Sequence, residues 1–382
     1  MTEALQAPSA AIGPADAPND ASRSSARYGR YVEILTDSLR NQSWFIAIVA
    51  IHIVVGYAVT QAYGQQVSLG LYKKVHWILI ANFAFVFLLH RVVTRCWTHR
   101  PEEPIRFVID DLKTSYLAPE RLLNALPAFV LLPMAFSMVT SMKAMIPLIQ
   151  PFAWDPAFAE LDRLTHGGVD PWELLQPVLG HPLVTTALSH IYALPWFVSV
   201  LFIQFCYTFT LHRRRDQFLL SYVLCWMLLG NVMAIAVSSA GPCYYGVFFE
   251  GPDPFAPQMS YLSGVAESYT LVSHLAQEFL LENYQEGLLK LGSGISAMPS
   301  MHISMAFLMV LGTWHIHWGL RLVTVTYLIL LQIGAVHLAW HYAIDGYVAI
   351  AGTWLIWWAV GRAFRWRNER TAATGTLPAP AG

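Results

Sequence analysis

Charge is scarce in this sequence: Asp, Glu, Lys and Arg together make 12% of 382 residues, about half the share found in a typical soluble protein. That scarcity excludes an ordinary water-soluble enzyme. The formal net charge of −1 provides no basic footprint, so no nucleic-acid partner is expected. Cysteine is sparse as well. Cys96, Cys206, Cys225 and Cys243 contain no CxxC pair, which argues against a zinc ribbon or a disulfide framework. A signal peptide is not read either, because the first apolar run starts near Trp44 and is of spanning length. What is abundant is apolar: 55% of the chain, with mean hydropathy +0.45, gathered in long blocks. The expectation is an all-α, polytopic membrane helix bundle.

Eight stretches approach the roughly 20 residues that a bilayer core demands: 43–63, 75–95, 122–148, 186–211, 217–239, 300–318, 321–341 and 345–364. Lipid offers no partner to unpaired backbone groups, so each must be a helix. Residues 1 to about 30 are rich in Ala, Ser, Pro and Asp and are expected to be disordered. The expected order is a cytoplasmic tail over 1–40, N-terminal membrane helices over 41–150, an external interfacial segment over 151–185, a core over 186–366 and a second tail over 367–382. Within the two long connections, 157–165 and 264–290 read as helices lying at the membrane surface.

Basic residues set the orientation. With the N-terminus inside, all but five of the 23 Lys and Arg fall on the cytoplasmic side, the exceptions being Lys73, Lys74, Lys143, Arg163 and Lys290. Both long connections are then external. The one N-glycosylation sequon, at Asn41, falls inside. With the short tails, this suits a bacterial inner membrane with a periplasmic site, although a Golgi membrane facing the lumen has the same topology.

Two segments place ionisable groups at the ends of apolar helices, where such groups are costly and therefore functional by default. They are AMPSMHIS at 297–304 and HLAWHYAID at 337–345. In the second, His337, His341 and Asp345 repeat every four residues and would stack along one helix face. Asp345 can then fix the tautomer of His341 and make its other ring nitrogen a better nucleophile. In the first, Pro299 suits a first helical turn, and Ser300, Met301 and His302 would follow with free N–H groups for an anion. One crossing out and one back bring His302 and His341 to the same external side. One His attacking phosphorus, a second protonating the leaving oxygen and N–H groups holding phosphate make a phosphoryl-transfer site.

PSMH followed by HxxxD at the ends of adjacent membrane helices resembles the type 2 phosphatidic acid phosphatase superfamily, whose motifs are PSxH and SRxxxxxHxxxD. HLAWHYAID and GPCYYG at 241–246 are more similar to the branch containing inositol phosphorylceramide synthase. The resemblance covers roughly 186–364. It implies a phosphohistidine on His341, with Asp345 orienting it, His302 as general acid and Ser300 as a phosphate ligand. It also implies a phospholipid or sphingolipid substrate, no cofactor and no metal. Gly334 and Ala335 stand where the superfamily has Ser and Arg, and no KxxxxxxRP motif exists. The cation that balances the phosphate must come from elsewhere, and Lys143, Lys290, Arg163, His190 and His337 are the external candidates.

Other readings stand beside these. The trio of His302, His341 and Asp345 suits zinc. Tyr244 and Tyr245 of GPCYYG line a substrate site or anchor a helix stop at the headgroup level. Residues 157–172 form a lid or lipid-access element, or a plain amphipathic surface helix. A lipid transporter or scramblase would use the same polar trio to line a pathway, although no inverted repeat or broken pair of spans is found. The sequence leaves the oligomeric state open.

Overall fold

The computed structural model describes residues 20–373 except 116, 213 and 291. Among these residues, all regular structure is helical. Seven helices are long and apolar enough to cross a membrane: α2 (Ser43–Ala62), α3 (Lys73–His99), α5 (Pro119–Ala144), α8 (Pro182–Phe209), α9 (Arg215–Ala236), α13 (Trp318–His337) and α14 (Ala343–Ala373). Between them lie α1 (Asp20–Asn41), α4 (Pro104–Ser115), α6 (Asp155–Thr165), α7 (Pro171–Leu179), α10 (Ala256–Ala266), α11 (Val272–Gln285) and α12 (Met301–Thr313).

Two expectations need correction. The stretch expected to cross at 300–318 is helical only over the 13 residues of α12, about 20 Å at 1.5 Å per residue against a core of about 30 Å. It is enclosed by protein: Ile303, Ser304, Met305, Ala306, Leu308, Met309 and Val310 are all buried. A helix walled by other helices has no need to match the bilayer. The second correction concerns residues 20 to about 30, expected to be disordered and found helical as part of α1. Ile34, Ser38 and Gln42 share one face at a spacing of four, and the Gln42 Nε2 amide donates to the Asn124 carbonyl of α5 at 2.9 Å. The disorder expected before residue 20 and the end of the tail after 373 lie outside the described residues. The part of that tail that is described, 367–373, continues α14, and Arg367 donates to the Asn41 carbonyl at 3.1 Å.

The two long connections carry helices: α6 covers the expected 157–165, while the second holds α11 inside the expected 264–290 and α10 mostly ahead of it. Inside α9, Cys225–Met233 winds as a π-helix, a wider turn that often accompanies functional sites. The main core, including Tyr192, Phe218, Tyr222, Ile303 and Leu331, joins α8, α9, α12 and α13 and holds the start of α12, the end of α13 and the start of α14 in register.

Candidate active site

HLAWHYAID is not one helix. α13 stops at His337 and α14 begins at Ala343. Between them Ala339 adopts φ +59°, and the N–H groups of Trp340 and His341 both turn back to the Ala335 carbonyl, at 3.0 and 3.2 Å. The break separates the two histidines that a continuous helix would have stacked. The His337 ring turns to Thr185, Nε2 to Oγ1 2.9 Å, away from His302 and His341. Its expected place in the substrate site is therefore corrected: it pins α13 to α8.

His341 and Asp345 do meet. His341 Nδ1 lies 3.1 Å from Asp345 Oδ2, and the same oxygen accepts the Tyr342 N–H at 3.1 Å. Asp345 is fully buried and His341 is 7% exposed. A carboxylate at Nδ1 assigns the proton there, which leaves the lone pair on Nε2, and His341 forms part of a cavity wall. Opposite stands His302, the second residue of α12, with its ring centroid 6.4 Å from that of His341. Two α8 aromatics hold it: Tyr192 stacks on it with ring centroids 4.4 Å apart, and Trp196 lies tilted against it at 3.9 Å. The Trp196 Nε1–H also donates to the His302 carbonyl at 3.1 Å.

Ser300 departs from expectation. Its N–H is spent on the Asp345 carbonyl at 3.2 Å, and its Oγ is buried without a partner among the described residues rather than on the cavity wall. Pro299 precedes the helix instead of opening it, since Ser300 is the N-cap. The donors left for an anion are the N–H groups of Met301, His302 and Ile303. They come before the first intrahelical bond, from Ser304 N–H to the Ser300 carbonyl at 3.0 Å.

The cavity, of about 320 Å³, is walled by His302, His341, Lys143, Tyr192, Trp340 and Tyr244 among others. Lys143 is the one basic candidate of five found there. Arg163 reaches Glu160 at 3.9 Å, Lys290 lies over the Phe279 ring at 5.7 Å, and His190 Nδ1 bonds the Thr186 carbonyl at 2.8 Å. Lys143 has no ion-pair partner among the described residues. The loop beside it depends on Gly294, at φ +98°, where a Cβ would stand 2.8 Å from the Lys143 carbonyl carbon. Of the two tyrosines, Tyr244 forms wall, but its hydroxyl donates to the Gln277 carbonyl at 2.9 Å. Tyr245 does not reach the cavity; it packs on Phe249 and Phe255, and its expected role in substrate binding is corrected accordingly.

A second cavity, about 250 Å³, shares Lys143, Trp196, Met301 and His302 with the first. It runs between α3, α5, α8 and the π-helical turn, with mainly apolar walls such as Leu79, Phe136, Val200 and Trp226. Among the described residues, no group of three His, Cys, Asp or Glu side chains is arranged to hold a metal ion. Asp345 stands behind His341 rather than between the two imidazoles.

Sequence reasoning missed two carboxylates of α6. Asp155 is fully buried and accepts from Ser239 Oγ, the Ala240 and Gly241 N–H groups and the Tyr342 hydroxyl, at 2.7 to 3.0 Å. Asp162 accepts the Ala343 and Ile344 N–H groups at 2.8 and 3.1 Å, capping α14 with negative charge at its N-terminus. Burial holds the Asp162 carboxyl above its usual range, against those two bonds and nearby His166. A spacing of seven puts both acids on one helix face beside buried Phe158 and Ala159. This is the signal that could have found them. α6, through Asp155 and Asp162, is thus a clamp that ties the start of GPCYYG to the His341 turn.

A sequence model of the family described as the PAP2 superfamily matches residues 156–360. No curated protein and no solved structure matches the chain. The matched stretch runs from the α6 clamp through both histidines and most of α14, over half of the sequence, and on that ground the chain belongs to the PAP2 superfamily.

Proposed function

We propose that this integral membrane protein moves the phosphoryl-bearing group of a membrane lipid through a phosphohistidine on His341. Membership of the PAP2 superfamily supports phosphatase- or phosphotransferase-type activity. The observation that carries the finer reading is the pairing of a His341–Asp345 couple with His302 across a cavity that also holds Lys143 and continues into an apolar chamber. Such a site suits a phosphate at one end and a hydrocarbon chain at the other.

In the first step His341 Nε2 attacks phosphorus, the N–P bond forms, the bond to the leaving oxygen breaks, and His302 gives that oxygen a proton. In the second, His302 takes a proton from water or an acceptor hydroxyl, whose oxygen forms the new P–O bond as the N–P bond breaks. Lys143 and the first N–H groups of α12 hold the phosphate oxygens as charge builds on them. Asp345 keeps the His341 tautomer and stabilises the imidazolium.

Lys143→Met is expected to lower kcat/KM about 100-fold, with Lys143→Arg recovering part of the loss; a value within twofold of wild type would remove Lys143 from the phosphate site. Asp345→Asn keeps the shape but inverts the hydrogen bond to His341. A fall in kcat of about 10³ to 10⁴-fold is expected, read in steady-state assays on lipid phosphates.

The basic residues on the opposite side support a site on the external leaflet, which in a bacterial inner membrane is the periplasmic one. HLAWHYAID, GPCYYG and the missing KxxxxxxRP motif support the synthase-like branch and hence transfer to an acceptor hydroxyl. The experiment is a panel of phospholipids and sphingolipid phosphates, with and without polyol or ceramide acceptors, followed by mass spectrometry. Inorganic phosphate or a phosphorylated headgroup as product means hydrolysis, and a headgroup moved to the acceptor means transfer. Turnover by neither route, with lipid movement retained in His341→Gln, would favour the transporter reading.

A further inference from the structure

The apolar chamber has a polar floor that the phosphoryl chemistry does not use. Gln204 on α8 is 4% exposed, lines the chamber, and its side-chain amide has no hydrogen-bond partner among the described residues. His76 on α3 lines the same chamber, and its Nε2 is buried with no partner among the described residues. Its ring rests edge-on against Phe129 at 5.4 Å. Both side chains also line a small cavity of about 20 Å³ just beyond, among Phe83, Phe129, Phe205 and Phe209.

Their depth follows from the helix that carries one of them. Trp196 lies tilted against His302 at 3.9 Å, and Gln204 is eight residues further along α8, about 12 Å deeper at 1.5 Å per residue. That is near the inner edge of one leaflet's share of a 30 Å core and below the level at which a lipid's chains join its headgroup. Polar groups left unpaired at such depth are costly, and a plain hydrocarbon in the chamber would leave both unpaired.

We infer that His76 and Gln204 are specificity-determining residues that read a hydroxyl carried on the hydrocarbon chain of the substrate, about 12 Å below its phosphate. A hydroxyl donates once and accepts as well. It is therefore the smallest group that pairs with an imidazole nitrogen and an amide together. The occupant is the chain of the lipid phosphate itself, because the chamber shares Lys143, Trp196, Met301 and His302 with the catalytic cavity. The inference thus rests on the lipid-phosphate reading and narrows its substrate class to hydroxylated chains.

The test compares two lipid phosphates of equal chain length, one plain and one hydroxylated at mid-chain, with p-nitrophenyl phosphate as a chain-free probe. Wild type is expected to prefer the hydroxylated lipid by about tenfold or more in kcat/KM, since a site built to pair a hydroxyl discriminates against its absence. The ratio is expected to collapse towards one in Gln204→Leu and in His76→Leu, mostly through KM. Equal turnover of the two lipids by wild type, or a preference that survives both substitutions, overturns the inference. Equilibrium binding of the same lipids to His341→Ala reads the floor without chemistry. There, equal affinity overturns the inference, while tighter binding of the hydroxylated lipid upholds it. Failure of the catalytic reading shows differently, as wild type that turns over none of the three substrates with or without a polyol or ceramide acceptor.

Discussion

His341→Ala is expected to reduce turnover by at least about 10⁴-fold, the scale on which removing an enzymic nucleophile acts. The imidazole has no understudy. His302 is held between Tyr192 and Trp196 at 4.4 and 3.9 Å and lacks a carboxylate partner among the described residues, while His337 is engaged with Thr185. Removing His341 also leaves the buried Asp345 without its ring partner, so thermal stability must be measured alongside activity. His341→Gln, which keeps a donor for Asp345, separates the two effects. The expected result is equal loss of activity in both variants, with the Gln variant nearer wild type in melting temperature. Activity within tenfold of wild type in either variant would mean that the phosphoryl group does not pass through this residue.

Asp155→Ala is expected to be the most damaging substitution away from the reacting atoms, costing about 3 kcal/mol or more in stability. Four donors converge on that carboxylate, three from residues 239–241 and one from Tyr342. Alanine would strand them in a buried site, where each unpaired group is penalised. The loss also has a functional arm. Gly241, at φ +97°, lies against Trp340, where a Cβ would sit 2.8 Å from the carbonyl oxygen, and the Cys243 N–H donates to the Ala339 carbonyl at 2.9 Å. Loosening 239–241 therefore loosens the turn that aims His341. The measurement is thermal unfolding in detergent together with kcat. Asp155→Asn, which retains one accepting oxygen, is expected to fall between wild type and Asp155→Ala; an unchanged melting temperature in Asp155→Ala would contradict the clamp.

Much of this was legible in the sequence because the bilayer enforces a coarse grammar. Uninterrupted apolar runs marked α2, α3, α5, α8, α9, α13 and α14, and ionisable groups set among apolar neighbours marked His302, His341 and Asp345. What could not be read turned on local backbone choices with no strong residue signal. The break after His337 occurs at Ala339, which carries neither Gly nor Pro to announce it, so regular spacing suggested a stack of three residues where only two meet. α12 looked long enough to span because its sequence is apolar, but burial on all sides, rather than lipid, explains that composition. The helix over 20–41 was hidden by a polar composition that becomes stable only against α5. Lys143 was visible as one of five cationic candidates expected on the external side, and only the fold distinguishes it from Lys290 and Arg163. Asp155 and Asp162 carried a readable pattern, two acids seven apart on the apolar side of an amphipathic helix. It was overlooked because acidic residues at a membrane surface are ordinarily solvated.

The most direct test of the account is to trap the covalent intermediate. Wild-type protein mixed with a lipid phosphate, quenched within the first turnovers at alkaline pH and digested, is expected to yield a phosphorylated peptide containing His341. The modification should be acid-labile and absent from His341→Ala. Phosphate found on another residue, or lipid turnover with no phosphorylated peptide and full activity in His341→Ala, would contradict it.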